Sequence, residues 1–256
     1  MIAAPDTPLV HALHPSPNIE PRRGMSPSIL LLHYTGLPSV ERAIDVLSRP
    51  DCKVSCHYVI DLDGRITQMV AEDMRAWHAG VSIWEGETDI NSASIGIEIQ
   101  NAGHDAGYPD FPARQMQAVT TLCHDIVRRH AMRPERVLAH SDVAPGRKID
   151  PGEKFDWRLL ARRGVGLWVE PAVLDPADEG LAKDTEHPRV CAFQARLADY
   201  GYGVPQHGRL DDATAIVIAA FQRHFRPARV DGRLDVSSEA TLDRLLAARD
   251  TVRLTS

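Results

Sequence analysis

Ile29-Leu30-Leu31-Leu32 is a run of four apolar residues, and His33 follows it directly. So short and uniform a run fits a strand buried on both faces, the mark of a sheet covered on either side. Further along, His57–Ile60 leads into Asp61-Leu62-Asp63-Gly64 and then Arg65–Val70. An Asp-Gly turn between two apolar runs signals a hairpin. Ser94–Ile99 alternates small or polar residues with apolar ones, and Val137–His140 reads as another short strand. Helical patterns separate these strands. Ser39 offers an N-cap to Val40–Leu47, and Arg114–His130 sets Met116, Val119, Leu122, Cys123, Ile126 and Val127 on one face. Strands interleaved with helices predict an α/β domain, a mixed central β-sheet flanked by helices, over residues 20–170.

Residues 171–187 carry Pro171, Pro176, Gly180 and several charges, and read as a linker. Beyond them Val190–Tyr200, Asp212–His224 and Ser238–Ala248 are short amphipathic stretches. None would persist as an isolated helix, so they are expected to pack together as a small three-helix bundle over residues 188–250.

Composition narrows the partners. The 256 residues are 43% hydrophobic and 25% charged, with a formal net charge of -6, which argues against a nucleic-acid ligand. Cys52, Cys56, Cys123 and Cys191 form neither paired zinc-binding spacings nor a disulfide framework for a chain this long, and read as reduced thiols in packed or half-packed positions. No stretch of about 18 apolar residues predicts a membrane span, and Met1–Pro27 holds no apolar run long enough for an export leader. That points to a cytoplasmic protein, or to a periplasmic one whose leader has been removed.

The residues that carry chemistry are His33, Glu98, His140, Lys148 and Asp150. His33 and His140 sit at strand ends, where sites assemble in α/β sheets, and Asp150 lies in the loop Gly146–Gly152. Two neutral imidazoles and one carboxylate suit zinc and leave a fourth tetrahedral position open. A divalent charge there makes water a nucleophile near neutral pH, and Glu98, set in the apolar alternation Ile95–Ile99, is a credible proton acceptor. Lys148 would supply positive charge for a developing oxyanion. Each residue alone has a plainer reading as a hydrogen-bonded rim residue, a solvated loop charge or a strand-edge charge. From the residues by themselves the conclusion stops at a possible metallohydrolase.

A family resemblance carries the reading further. His140-Ser141-Asp142-Val143-Ala144-Pro145-Gly146-Arg147-Lys148-Ile149-Asp150-Pro151-Gly152, followed by Phe155-Asp156-Trp157, resembles the signature of the type 2 N-acetylmuramoyl-L-alanine amidases. So do Leu32-His33-Tyr34-Thr35, Ser55-Cys56-His57-Tyr58-Val59-Ile60, Arg75-Ala76-Trp77-His78-Ala79-Gly80 and Ser94-Ile95-Gly96-Ile97-Glu98, in the family's order. The resemblance implies zinc held by His33, His140 and Asp150, with Glu98 and Lys148 catalytic. It implies hydrolysis of the lactyl-L-alanine amide of peptidoglycan or anhydro-muropeptides, with His57, Trp77 and His78 lining the groove for sugar and peptide. Asp150 and Cys56 stand where phage and animal members are expected to have cysteine and tyrosine, which aligns the chain with the bacterial branch. The rival readings are a non-catalytic peptidoglycan fragment recognition protein on the same scaffold and a zinc peptidase cutting between amino acids. Val190–Leu197, Tyr200-Gly201-Tyr202, Gly208–Thr214 and Ala220–Phe225 resemble a peptidoglycan-binding helical module, and Asp231–Asp235 echoes the Gly208 turn.

Overall fold

The computed structural model describes residue 2 and residues 4–255. Eight strands form in chain order: β1 Ala12–Leu13, β2 Ile19–Pro21, β3 Ile29–Tyr34, β4 Tyr58–Ile60, β5 Ile66–Gln68, β6 Met74–Ala76, β7 Ser94–Ile99 and β8 Val137–Ala139. The α-helices are α1 Val40–Ser48, α2 Ile90–Ala93, α3 Ala113–Arg129, α4 His140–Val143, α5 Trp157–Ala161, α6 Pro188–Tyr200, α7 Asp212–Phe225 and α8 Val236–Thr255. Six strands make one mixed sheet in the order β1-β5-β4-β7-β3-β8, and β2 pairs with β6 apart from it. The expected α/β class is what the fold adopts.

β3 lies inside the sheet next to its edge, parallel to β7 on one side and to the edge strand β8 on the other. Its apolar run is explained by its position: Leu30 and Leu32 pack with α3, while Ile29 and Leu31 enter a second core cluster on the opposite face. In β7 the alternation sends Ile95, Ile97 and Ile99 to the α3 side, so Ser94, Gly96 and Glu98 fall on the other face. The predicted hairpin is β4–β5. Gly64 closes its turn at φ 85°, a conformation glycine adopts without penalty, and a Cβ there would lie 2.9 Å from the Arg114 carbonyl. Ser39 caps α1 by accepting a hydrogen bond from the Arg42 N–H.

Two boundaries differ from the sequence reading. The edge strand β1 lies ahead of residue 20, so the N-terminal segment belongs to the sheet. Strand β8 stops at Ala139, and His140 is the first residue of α4, because the chain turns there and the Asp142 carboxylate accepts the Ala139 N–H. Among the described residues no helix is long and apolar enough to cross a membrane. All four cysteines are free, with Cys56 and Cys123 buried, Cys52 half-buried and Cys191 exposed.

The three C-terminal helices pack on the sheet face that β3 presents through Ile29 and Leu31. One apolar cluster runs from Ile29, Leu31 and Leu138 into Phe193, Leu197, Phe221 and Leu242. Trp84, fully buried, meets Tyr200 and Tyr202 with ring centroids at 5.9 and 4.9 Å. Gly201 is required between them, since a Cβ would lie 2.6 Å from the Trp84 ring.

Candidate active site

The strand register assembles the site. His33 and Glu98 are neighbours across the parallel β3–β7 pair, and Leu32 pairs with Ala139, so His140 follows beside His33. Side chains at matched positions of adjacent strands share a face. His33 and Glu98 therefore meet at the carboxyl end of the parallel strands, where α/β sheets place ligands. A cleft of about 480 Å³ opens there. Its lining includes His33, Trp77, His78, Glu98, His140, Lys148 and Asp150, with Ala43, Val46 and Leu47 of α1 contributing one wall.

His33 Nδ1, His140 Nδ1 and Asp150 Oδ2 form a triangle with edges of 2.8, 3.1 and 3.0 Å. The surrounding hydrogen bonds fix the tautomers. His140 Nε2–H donates to the Ala79 carbonyl at 3.0 Å, which leaves its Nδ1 as a lone pair. Ser94 Oγ–H donates to the Ile90 carbonyl and accepts from His78 Nε2–H at 3.4 Å. His78 Nδ1 is then an acceptor for His33 Nε2–H at 3.0 Å, and His33 Nδ1 too is a lone pair. Three lone-pair atoms converge with no proton between them, an arrangement that repels unless a cation joins them. Tetrahedral zinc, with bonds of about 2.0–2.1 Å, would set such atoms about 3.3 Å apart. The donor set and its spacing fit zinc, and it is the one such group among the described residues.

The electrostatics agree. Burial and the neighbouring His140 push His33 down to about 4, which keeps it neutral. For Asp150 burial acts upward, but the two imidazoles beside it, His140 foremost, outweigh that and hold the carboxyl well below the usual range. Glu98 behaves oppositely. Burial and the nearby Asp150 raise it well above an ordinary carboxylate, and its buried Oε2 has no hydrogen-bond partner. Lys148 lines the same cleft, and among the described residues no hydrogen bond or ion pair occupies its ammonium.

The three groove residues fare differently. Trp77 lines the cleft, half-buried, with its Nε1 unpaired. His78 lines it too, and also braces His33. Its ring passes so close to β7 that a Cβ on Gly96 would lie 2.5 Å from it, which explains the glycine in that strand. His57 does not reach the groove. It is 0% exposed, its Nδ1 accepts from the Gly96 N–H at 2.9 Å, and its Nε2–H donates to the Met74 carbonyl at 3.0 Å. Burial and the adjacent Arg22 push it down to about 3, so it is a neutral strut inside the fold.

Three contributors escaped the sequence reading. The Ala79 carbonyl orients His140, and Arg147 donates to that same carbonyl and to Val81, clamping the 79–81 turn beside the triangle. Asp142, 0% exposed two residues after His140, accepts from Tyr202 and His224 of the C-terminal region. A backbone carbonyl leaves no trace in residue type, and the Asp142 partners lie too far along the chain for spacing to suggest them.

Comparison with known proteins matches two separate stretches of the chain. Residues 23–153 match the profile of the N-acetylmuramoyl-L-alanine amidase family, and residues 186–245 match that of a putative peptidoglycan binding domain. The N-acetylmuramoyl-L-alanine amidase AmiD of Escherichia coli is 37% identical over 235 residues, covering 85% of this chain and 82% of that protein. The 1,6-anhydro-N-acetylmuramyl-L-alanine amidase AmpD of Escherichia coli is 37% identical over 161 residues, 56% of this chain and 86% of AmpD. The solved complex of AmiD with anhydro-N-acetylmuramic acid-L-Ala-D-gamma-Glu-L-Lys superposes with a TM-score of 0.73 at 35% identity, covering 89% of this chain and 90% of that one. AmpDh3 of Pseudomonas aeruginosa gives 0.73 at 35% identity over 86% and 91%. A profile spanning just over half of the chain, and a relative 37% identical across most of both proteins, place this chain in the N-acetylmuramoyl-L-alanine amidase family.

Proposed function

We propose that this chain is a zinc amidase that hydrolyses the amide between the lactyl group of N-acetylmuramic acid and L-alanine in muropeptides. The observation that carries this reading is the triangle of three converging lone pairs beside an unpaired carboxylate and an unpaired ammonium in one cleft. His33, His140 and Asp150 would hold the ion. When bound, zinc supplies a divalent charge that polarises a carbonyl and makes water nucleophilic near neutral pH.

The chain's own residues do the rest. Glu98, with a free oxygen facing no protein donor, takes the proton of the attacking water and returns it to the departing alanine amine. Its raised pKa brings it closer to neutrality, where a base can both accept and release a proton. Since the base must be ionised to act, activity should fall as pH drops through a value above the ordinary carboxylate range. Lys148 steadies the negative charge that develops on the carbonyl oxygen. Trp77 offers an indole face to sugar or peptide. We read residues 20–170 as the amidase domain, 171–187 as its connector and 188–250 as a helical domain, a division supported by the two matched profiles.

Incubation of the purified protein with anhydro-muropeptides, and separately with whole sacculi, tests the reading by mass analysis of products. The expected products are a bare muramic sugar and a peptide beginning with L-alanine, abolished by a chelator and restored by zinc. Cleavage within the peptide, or full activity in chelator, overturns it. Release from fragments alone would place the enzyme with cytoplasmic turnover, and release from sacculi with the periplasmic wall.

A further inference from the structure

Residues 140–152 carry His140, Lys148 and Asp150, yet they have little means of holding their own shape. The four-residue helix α4 is far below the length at which helices persist unaided. After it the segment contains Pro145, Gly146, Pro151 and Gly152, and four backbone hydrogen bonds tie it to itself: Ser141 N–H to the Asp150 carbonyl, Ala144 N–H to His140 and Lys148 N–H to Ala144 at 3.0 Å, and Arg147 N–H to Ala144 at 3.2 Å. Something outside the loop fixes its position.

The sheet region supplies part of that hold, through the Ile83 N–H bond to the Val143 carbonyl and the Tyr108 O–H bond to the Pro151 carbonyl, each at 2.8 Å, and the C-terminal helices supply the rest. Asp142 is 0% exposed and accepts three hydrogen bonds: Ala139 N–H at 2.8 Å, Tyr202 O–H at 2.7 Å and His224 Nδ1–H at 2.6 Å. Two of these three donors belong to the helical region. His224 is itself 2% exposed and clamped by stacking on Trp157 and Phe225, each at 3.8 Å. Eight residues earlier on the same helix, Ile216 abuts Gly146, where a Cβ would lie 2.8 Å from Ile216 Cγ2. Arg223 stands 3.6 Å from Glu153 just beyond the loop. One side of α7 thus meets the loop at its start, middle and end.

We propose that the helical module is a positioning element of the active site, with His224 and Tyr202 setting the turn that begins at His140 through the buried carboxylate of Asp142. On this account α7 is a brace whose loss loosens the metal triangle, whatever its outer surface binds. A buried carboxylate deprived of two of its three donors is driven toward water, and a displacement well under 1 Å is enough to spoil a ligand set. The proposal rests on the zinc reading for its effect on metal but not for its effect on the loop.

Full-length variants test it with two readouts that do not involve turnover: zinc affinity by competition with a chromophoric chelator, and hydrogen exchange of the Ser141 and Lys148 amides in metal-free protein. His224→Ala should weaken zinc binding by about 10- to 100-fold and speed exchange at both amides by about tenfold. His224→Asn, which keeps an N–H donor near the Nδ1 position, should recover most of both. Leu242→Ala opens a cavity in the same apolar cluster from α8 and should leave both readouts at their original values, measured well below its unfolding temperature. Should His224→Ala fail to fold, Tyr202→Phe deletes a single oxygen and carries the same comparison. Equal behaviour of the His224 or Tyr202 variant and Leu242→Ala would reduce the contact to ordinary packing and overturn the proposal. An original protein that binds no zinc would sink the amidase reading instead, with the exchange data still deciding whether α7 braces the loop.

Discussion

In the helical module Gln194 and Gln222 are both 0% exposed, and both close their amides. Gln194 accepts from the Gly208 N–H and donates to the Arg209 carbonyl and Thr214. Gln222 does the same one turn motif later, accepting from Asp231 and Gly232 and donating to the Arg233 carbonyl and Ser238. The echo between the Gly208 and Gly232 turns is thus a repeated device: a buried glutamine ties down a Gly-Arg-Leu-Asp turn, whose aspartate caps the following helix. At the carboxyl end of the sheet, by contrast, Glu98 buries an oxygen that nothing binds, and three lone pairs face one another. Unsatisfied buried polar groups are costly, so where they persist they mark a place reserved for something else. The two glutamines spend their polar groups on architecture, and the sheet end leaves its own unbound.

The largest effect should come from testing that distinction at Glu98. Glu98→Gln is expected to lower kcat by about 10²- to 10⁴-fold, some 3–5 kcal/mol in transition-state stabilisation, with no loss of folding stability. The sign follows from its pKa. A carboxyl raised in the folded state above its unfolded value of about 4.3 opposes folding increasingly as pH climbs beyond that value. The variant should therefore be at least as stable as the original at pH 7, with its advantage fading near pH 4. Parallel kinetics and urea unfolding check this. A variant that loses activity and stability together would make Glu98 a structural residue.

The converse holds for Gln222. Replacing it with leucine strands the Asp231 and Gly232 N–H groups and the Arg233 carbonyl, which should cost about 2–4 kcal/mol of stability. Below its unfolding transition, turnover of a small muropeptide should stay within about threefold of the original, since less than 1 kcal/mol would reach the transition state. A selective fall in kcat in a well-folded Gln222→Leu protein would break the contrast.

How much of this was open to sequence reasoning follows the range of the interactions. The buried strand Ile29–Leu32, the hairpin at Asp63-Gly64 and the face of Arg114–His130 are set by neighbours within a turn or two, and all three appear where periodicity puts them. The amidase resemblance names His33, Glu98, His140, Lys148 and Asp150 in order, and the fold brings these five to one cleft. His57 misled because its surroundings are supplied from elsewhere. Arg22, from the segment ahead of the first long strand, threads beside it to reach the Glu72, Ser92 and Ser94 carbonyls, and that filling seals the ring inside. Asp142 was invisible for the same reason, since its partners lie 60 and 82 residues away.

Glu72 decides whether the contrast belongs to the two regions or to the bonding itself, because it is a buried carboxylate of the amidase region whose oxygens are all engaged. Tyr58 O–H, Arg129 and His130 reach it, and its side chain is 5% exposed. Burial acts to raise its pKa, but the hydrogen bonds from Arg129, His130 and Tyr58 outweigh that and hold it well below the carboxylate range. A carboxyl depressed in the folded state adds stability above its unfolded pKa of about 4.3 and loses it as pH falls through the folded value. Glu72→Gln should thus cost about 1–3 kcal/mol at pH 7, discounted because Arg129 is 27% exposed, and progressively less between pH 4 and pH 2. Catalysis should not change, as Glu72 does not line the cleft. Urea titrations at pH 7 and pH 2 bracket that window. A cost that is equal at the two pH values would mean the ionised carboxylate contributes nothing, and that closure of hydrogen bonds does not separate architectural acids from catalytic ones. A cost that shrinks with acid, beside a Glu98 variant whose stability gain shrinks the same way, would show two carboxylates on one fold driven in opposite directions by whether their oxygens are bound.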